Sequence, residues 1–113
     1  VITNDVKEKM EQIISYIQEN YSQGLRREDL AEISGFNVNY FSSLFNEYTG
    51  SKINDYINNL RIQKSCDLLK TESRQVIDIA FSVGFESLTT FNRFFKRIKG
   101  CTPKEYRKKS IIQ

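Results

Sequence analysis

The 113-residue sequence contains no histidine and no tryptophan, and it has one proline, one methionine and two cysteines. Without histidine, the usual Ser–His and Cys–His nucleophile pairs cannot form. Cys66 and Cys101 do not have CxxC spacing, so a structural role is favoured over a metal or redox role for both thiols. We therefore expect a protein that is not an enzyme and that needs no metal or cofactor.

Long apolar runs are also missing. No stretch approaches the roughly 18 apolar residues that a membrane-spanning helix needs, and the first residues do not form a signal-peptide pattern. A chain of this length accommodates one hydrophobic core rather than two independent ones. Scarce proline and little β-branched alternation favour helices over strands. These features predict one all-α domain, soluble in the cytoplasm, with no membrane partner.

The positive charge is concentrated near the end of the sequence. Residues 93–109 contain eight basic residues and one acidic residue, a net charge of +7, whereas the remaining residues carry a net charge of −4. A solvated surface would account for a charged run. Here, however, positive charge is concentrated on one predicted helix and the segment after it. This arrangement is more typical of a phosphate-binding surface. We therefore expect nucleic acid as the partner.

Residues 79–100 have the pattern of a helix-turn-helix. Ala80 supplies the small side chain that two closely crossing helices require, and Gly84 supplies a turn residue that tolerates positive φ. Ser87 is a candidate N-cap for the second helix. After Ser87 the apolar residues recur with a period of about 3.6, so one helix face packs and the other is exposed. These apolar residues are Leu88, Phe91, Phe95 and Ile98.

The same pattern occurs earlier, in residues 25–50. Its matching features, offset by 49 or 50 residues, are Leu30-Ala31, Gly35-Phe36, the pair Phe41 and Phe45, and Gly50. Four matches in the same order indicate an internal repeat rather than shared composition. The second unit covers residues 75–100.

Three further helices are predicted around the two units. An amphipathic helix covers residues 4–21, with Asn4 as a candidate cap and Gly24 ending the segment. Apolar spacing over residues 53–69 predicts one linker helix between the units. A Thr-Pro-Lys-Glu capping box at residues 102–105 predicts a last helix over residues 103–109.

These features together resemble the DNA-binding domain of the AraC/XylS family of bacterial transcription regulators. The resemblance covers residues 8–109 and rests on Ile79-Ala80, Val83-Gly84-Phe85, Phe91, Phe95-Lys96, Gly100, Thr102-Pro103 and Tyr106-Arg107. It implies a seven-helix domain that binds promoter DNA with two recognition helices in adjacent major-groove segments. It also implies activation through RNA polymerase, and a small-molecule or phosphorylation input only through a domain absent from this chain. Thr90 departs from the family pattern, in which an aromatic residue is usual.

The resemblance places the base-contacting residues on two recognition helices, the first of which covers residues 37–47. The expected base contacts are Asn39, Ser42, Ser43, Thr89, Thr90, Asn92 and Arg93. Arg93 can donate two hydrogen bonds to guanine O6 and N7, and asparagine can bind adenine in a similar way. For Ser42 and Ser43, an ordinary exposed helix surface is an equal alternative.

Phosphate contacts are expected from polar and basic side chains around these helices, namely Asn46, Ser87, Lys96, Lys99, Arg26, Arg27 and Arg74. The three arginines lie at helix starts, where a cation opposes the helix dipole. Because this occurs at equivalent points of the repeat, we hypothesise that DNA phosphates supply the compensating anions. Three ordinary surface arginines are an equal alternative. Arg61, in the linker helix, is expected to pair with an acidic residue of a neighbouring helix rather than with a phosphate.

Two functions fit these observations: sequence-specific DNA binding for transcription regulation, and a helical protein-interaction or non-specific polyanion-binding module with the same fold. Sequence dependence separates them, because direct readout favours a cognate site over scrambled DNA by roughly 10³ or more. The first recognition helix offers only neutral polar groups, whereas most positive charge lies in the second unit. We therefore expect the second unit to supply most of the affinity and the first to add discrimination.

Overall fold

The computed structural model describes residues 2–112, and the regular secondary structure in this range is entirely α-helical. Seven helices occupy it: α1 (Asn4–Asn20), α2 (Arg27–Ser34), α3 (Val38–Thr49), α4 (Ile53–Thr71), α5 (Val76–Ser82), α6 (Leu88–Lys99) and α7 (Pro103–Ile112). The predicted all-α, seven-helix fold is confirmed. Among the described residues, none of the helices combines the length and the apolar character that crossing a bilayer requires.

The helices form two compact units, and the boundary between them falls inside α4. The first unit ends at Ile57 and the second begins at Asn58. The first turn of α4 therefore completes the first unit, whereas the rest of this helix opens the second. Each unit thus has the same order: a long helical segment, the two helices of a helix-turn-helix, and a further helical segment. The repeat extends beyond the helix-turn-helix pair.

The first unit is held together by apolar side chains of α1, α2 and α3. Those that are almost fully buried are Met10, Ile13, Ile17, Leu30, Phe41 and Phe45. The rings of Phe41 and Phe45 lie 6.0 Å apart, and Phe45 meets Tyr56 of α4 edge to face at 5.3 Å. Burial of each large side chain contributes about 1.5–3 kcal/mol, so this aromatic column fixes α3 firmly on the unit.

The second unit repeats this aromatic column on α6. Phe91 and Phe95 are fully buried, with ring centroids 5.6 Å apart. Phe95 meets Tyr106 of α7 at 5.6 Å, as Phe45 meets Tyr56 in the first unit. Ile98, predicted to lie on the packed face, is 36% exposed, because it lies beyond the last contact of that column.

Tight turns at glycine join the two helices of each helix-turn-helix. Gly35 has φ of 79° and Gly84 has φ of 112°, so the predicted positive φ at Gly84 is confirmed. Each turn is closed by the same hydrogen bond, from Phe36 N to Ala31 O at 3.2 Å and from Phe85 N to Ala80 O at 3.0 Å. Both alanines are buried, as expected where two helices cross closely.

Side-chain caps begin α6 and α7. The hydroxyl of Ser87 accepts from Thr90 N at 3.1 Å, which confirms Ser87 as the N-cap of α6. In the capping box, Thr102 N donates to Glu105 Oε1 at 2.9 Å, and Glu105 N donates to Thr102 Oγ1 at 3.1 Å. The hydrogen bonds from Thr102 lower the pKa of the Glu105 carboxyl. This reciprocal pair stabilises the start of α7.

Several predicted helix ends are wrong by a few residues. Thr3, rather than Asn4, caps α1, because its backbone is extended and its hydroxyl accepts from Val6 N. Helix α1 ends at Asn20 with Tyr21 as its C-cap, before Gly24. Helix α4 continues two residues beyond the predicted end, and α7 three residues beyond.

Candidate nucleic-acid interface

Helix α3 presents a short polar face opposite its buried side. Asn37 caps the helix, since its Oδ1 accepts from Asn39 N at 2.9 Å and from Tyr40 N at 3.3 Å. Asn39, Ser43 and Asn46 are exposed, as predicted for outward residues. These side chains, spaced three or four residues apart, share one helix face and can reach a ligand that lies along it.

Ser42 differs from the other residues predicted on this face. It is half-buried, and its Oγ donates to Val38 O at 2.8 Å. The hydroxyl hydrogen is therefore used within the helix, and only the oxygen lone pairs are left to accept. Of the two interpretations of Ser42, the geometry favours an ordinary helix residue over a strong base contact.

Helix α6 presents a longer and more basic face. Its exposed polar side chains include Thr89, Asn92, Arg93, Lys96 and Lys99. Thr90 and Ser87 are half-buried, and their hydroxyl oxygens lie 2.9 Å apart. Because Ser87 also caps the helix, the two hydroxyl groups are already bonded at the helix start. The exposed donors on α6 therefore include the side chains of Asn92, Arg93 and Lys96.

An aromatic residue that sequence reasoning missed lies beside Arg93. The half-buried ring of Phe94 has its centroid 5.7 Å from the guanidinium carbon of Arg93 and 4.5 Å from that of Arg97. The same ring lies 6.0 Å from Phe85 below it. The available signal was an aromatic residue with arginine three residues later, a spacing that places a cation and a ring on one helix face.

The arginines at the helix starts have carboxylate partners within this chain. Arg26 donates to both oxygens of Asp29, at 3.4 Å and 3.3 Å. Arg27 donates to Glu28 at 3.2 Å, and Arg74 donates to Glu72 at 2.6 Å. These carboxylates already supply the anion that the helix-dipole argument attributed to DNA phosphate. The three arginines therefore need no phosphate to offset the helix dipole, and phosphate contact at Arg26, Arg27 and Arg74 stays a prediction.

One of the eight basic residues of the 93–109 segment has a structural role. Arg107 is half-buried, and its guanidinium donates to Leu69 O at 3.1 Å and to Glu72 O at 3.0 Å. Both carbonyls lie at the end of α4, where helical carbonyl groups lack intrahelical partners. Arg107 therefore ties α7 to α4, and it is not part of a free phosphate-binding surface.

Arg61 is also held within the second unit. Its Nη1 donates to Asn58 Oδ1 at 3.2 Å, and its guanidinium carbon lies 5.9 Å from the Phe85 ring centroid. Burial lowers the pKa of Arg61, and the charge of Glu86 opposes this shift. The acidic residue that acts on Arg61 is Glu86, which lies in the turn before α6 rather than in a neighbouring helix, and the predicted pairing with an acidic residue of a neighbouring helix stays a prediction.

The two cysteines are free thiols. Burial raises the pKa of the Cys66 thiol, so this group is an unreactive thiol at neutral pH. Within residues 2–110, whose side chains are described, no cluster of three or more cysteine, aspartate and glutamate residues could hold a metal ion. The exposed polar faces of α3 and α6 are the candidate site, because their polar side chains lie in the open on helices held by buried phenylalanines.

Comparisons with known proteins point to the same class of function. A family model described as a helix-turn-helix domain matches residues 30–109. The chain is 33% identical over 98 residues to the regulatory protein SoxS of Escherichia coli K12, covering 87% of this chain and 92% of SoxS. It is 38% identical over 96 residues to the F1 operon positive regulatory protein of Yersinia pestis, covering 84% of this chain and 32% of that protein.

A similar structure has also been solved. It is a crystal structure of a transcriptional regulator from Chromobacterium violaceum, described as containing an AraC-type DNA-binding domain. The two chains are 25% identical and superpose with a TM-score of 0.84, covering 92% of this chain and 93% of the other.

Proposed function

The chain belongs to the AraC/XylS family of bacterial transcription regulators, and from this membership we propose that it reads a specific double-stranded DNA sequence through α3 and α6. The observation that carries the proposal is the repeated aromatic column. In both units, buried phenylalanines four residues apart hold a helix so that its opposite, polar face is exposed. A rigid helix with an exposed polar face is the element that enters the major groove. Residues 2–112 would then act together as one DNA-binding domain.

The base-reading roles follow from exposure and hydrogen-bonding capacity. Arg93 would donate to guanine O6 and N7, and Asn92 and Asn39 would bind adenine. Thr89 and Ser43 are exposed and would make smaller contacts. Ser42 and Thr90 would contribute less, because their hydroxyl groups already bond within the helix.

Phosphate contacts would come from the residues around these positions. Lys96 and Lys99 are exposed in the last turn of α6, and Asn46 occupies the equivalent place on α3. Ser87 would add a weaker contact, because its oxygen caps the helix. Such contacts orient the protein on the duplex without reading its sequence.

We also propose that the protein activates transcription through contact with RNA polymerase. The support is the name of the Yersinia pestis relative, a positive regulatory protein. This chain spans 32% of that relative. As the family resemblance implies, any small-molecule or phosphorylation input would act through a domain absent from this chain.

The test is binding to DNA recovered from a random pool of duplexes. Fluorescence anisotropy would compare the recovered duplex with a scrambled one. We expect a preference of roughly 10³. Replacing Arg93 with Ala should reduce this preference by about 5- to 150-fold, the equivalent of about 1–3 kcal/mol for one bidentate base contact.

Arg93→Lys is the matched control, because it keeps the charge and removes the planar fork of donors. It should lose discrimination while keeping the salt dependence of the wild type. Equal affinity of the wild type for both duplexes would overturn the proposal and leave a non-specific polyanion-binding module.

A further inference from the structure

The two units share a second feature. In each unit, a groove lies next to the recognition helix. The first groove is lined by residues that include Arg27, Ser42, Asn46, Lys52, Ile53 and Asn54. The second is lined by residues that include Val76, Asn92, Lys96, Thr102, Pro103 and Lys104. The two sets correspond member by member in the order given. The first pair, Arg27 and Val76, is 49 residues apart, and each of the other pairs is 50 residues apart.

Each groove adjoins the proposed DNA-reading face. One wall is formed by outward residues of the recognition helix, represented by Asn46 on α3 and Lys96 on α6. The opposite wall is the start of the next helix, α4 or α7. The grooves have volumes of about 600 Å³ and about 370 Å³, many times the roughly 30 Å³ of one water molecule, so a hydrated phosphate group can enter either.

Both grooves carry two cations, although at different positions of the repeat. Arg27 and Lys52 line the first groove together with Asp55, whereas Lys96 and Lys104 line the second. Threonine occupies the position in the second unit that matches Lys52, and asparagine occupies the position in the first that matches Lys104. Residues at different repeat positions thus supply the positive charge of the two grooves.

Lys52 and Lys104 lie where their own helices do not favour a cation. Lys52 directly precedes α4, and Lys104 is in the first turn of α7, so both oppose the helix dipole. Arg26, Arg27 and Arg74 each have a carboxylate partner, whereas neither of these lysines forms an ion pair with another residue in the part of the chain that the structure describes. Unlike those arginines, the two lysines therefore present an exposed ammonium group to an outside anion.

We infer that each groove receives one strand of the DNA phosphodiester backbone, with Lys52 in the first unit and Lys104 in the second as phosphate-contacting residues. This inference rests on the proposed function, because a recognition helix in the major groove has a backbone strand beside it. A lysine ammonium, with three donors, binds phosphate as a point charge without reading bases. Asp55 reduces the charge of the first groove, so Lys104 would make the larger contribution.

A salt series with matched lysine variants tests the inference. Lys104→Ala is compared with Lys108→Ala, which removes the same charge from an exposed position of the same helix. Lys52→Ala is compared with Lys7→Ala on α1. Each groove variant should reduce the slope of log K against log salt by about 0.9, the value for one released counterion. The controls should keep the wild-type slope.

A second measurement locates the contact on the DNA. Uncharged methylphosphonates replace single phosphates of the recovered duplex, one position at a time. One position should weaken binding of the wild type by several-fold and have no further effect on Lys104→Ala, because the same contact is already lost. The groove assignment would be overturned if the effects of the methylphosphonate and of Lys104→Ala on binding were additive at every position. Equal salt slopes for Lys104→Ala and Lys108→Ala would also overturn it. Failure of the wild type to prefer the recovered duplex would instead overturn the proposed function.

Discussion

Neighbouring basic residues near the end of this chain perform different tasks, and their hydrogen bonds distinguish them. Arg107 is held by the main-chain carbonyl of Leu69 in α4 and by that of Glu72 just after α4, whereas its neighbour in α7, Lys108, is exposed. Arg93 is exposed above the ring of Phe94. Charge counted along a sequence adds these residues together, although the guanidinium of Arg107 is already occupied by main-chain carbonyls and is not available to a polyanion.

Replacing Arg107 with Ala should therefore change stability rather than DNA binding. The substitution leaves carbonyls at the end of α4 without their partner, at a cost of about 1–3 kcal/mol. Urea unfolding followed by circular dichroism would measure the change, and Lys108→Ala, which removes one charge without a hydrogen bond, should be close to neutral. A stable variant with a reduced salt slope on DNA would show instead that Arg107 contacts phosphate.

At the scale of the helices, α4 contributes to both units. Its first turn packs Tyr56 on the aromatic column of the first unit, while residues from Asn58 onward belong to the second. Helix α7 packs Tyr106 on its column in the same way. The repeat therefore comprises four helical segments, and one helix contributes to both copies.

The turns between the helices of each pair provide a prediction about backbone geometry. Gly35→Ala should destabilise the protein by about 1–2 kcal/mol, because a side chain at positive φ brings Cβ close to the following carbonyl oxygen. A steric clash with neighbouring residues does not contribute, since an added Cβ would approach nothing closer than Lys9 Nζ at 4.0 Å. Thermal unfolding would measure the loss.

Gly24→Ala is the matched control for this substitution. Gly24 does not have a positive φ, and an added Cβ there meets nothing within 4 Å. The control should be neutral or slightly stabilising, because alanine restricts the unfolded chain. Equal destabilisation by both substitutions would contradict the backbone explanation.

At the scale of the whole molecule, the two units carry opposite charges. The sequence up to Ile57 has five basic and nine acidic residues, a net charge of −4, and the sequence from Asn58 has twelve basic and five acidic residues, a net charge of +7. A DNA duplex attracts the second unit and repels the first at long range. The two units should therefore contribute unequally to the free energy of DNA binding, although their helices repeat.

Two single substitutions compare the units. Arg93→Ala should reduce affinity for the recovered duplex by about tenfold or more, whereas Asn39→Ala should reduce it by about threefold and mainly relax base preference at one position. Anisotropy titrations against a set of duplexes with single base changes would measure both effects. Comparable losses of affinity from the two substitutions would contradict this asymmetry.

The fold could be predicted largely from local patterns. Aromatic pairs such as Phe91 and Phe95, glycine turns and a capping box act over three to five residues, so the order of residues is enough to recognise them. The same local character explains why the internal repeat and its family resemblance were visible. Exact helix ends were less predictable, because Thr3 competes with Asn4 as a cap and distant contacts extend α4.

The sequence by itself therefore determined that the chain has two helix-turn-helix units with one polar face each, and which helix bears the positive charge. Only the tertiary structure decided which polar groups are available. Ser42 bonds to its own helix, Arg107 bonds to α4, and Arg26 bonds to Asp29. Lysines at two different repeat positions line equivalent grooves. The physical reason is that hydrogen bonds and grooves depend on distances in space, which helical periodicity does not specify between elements.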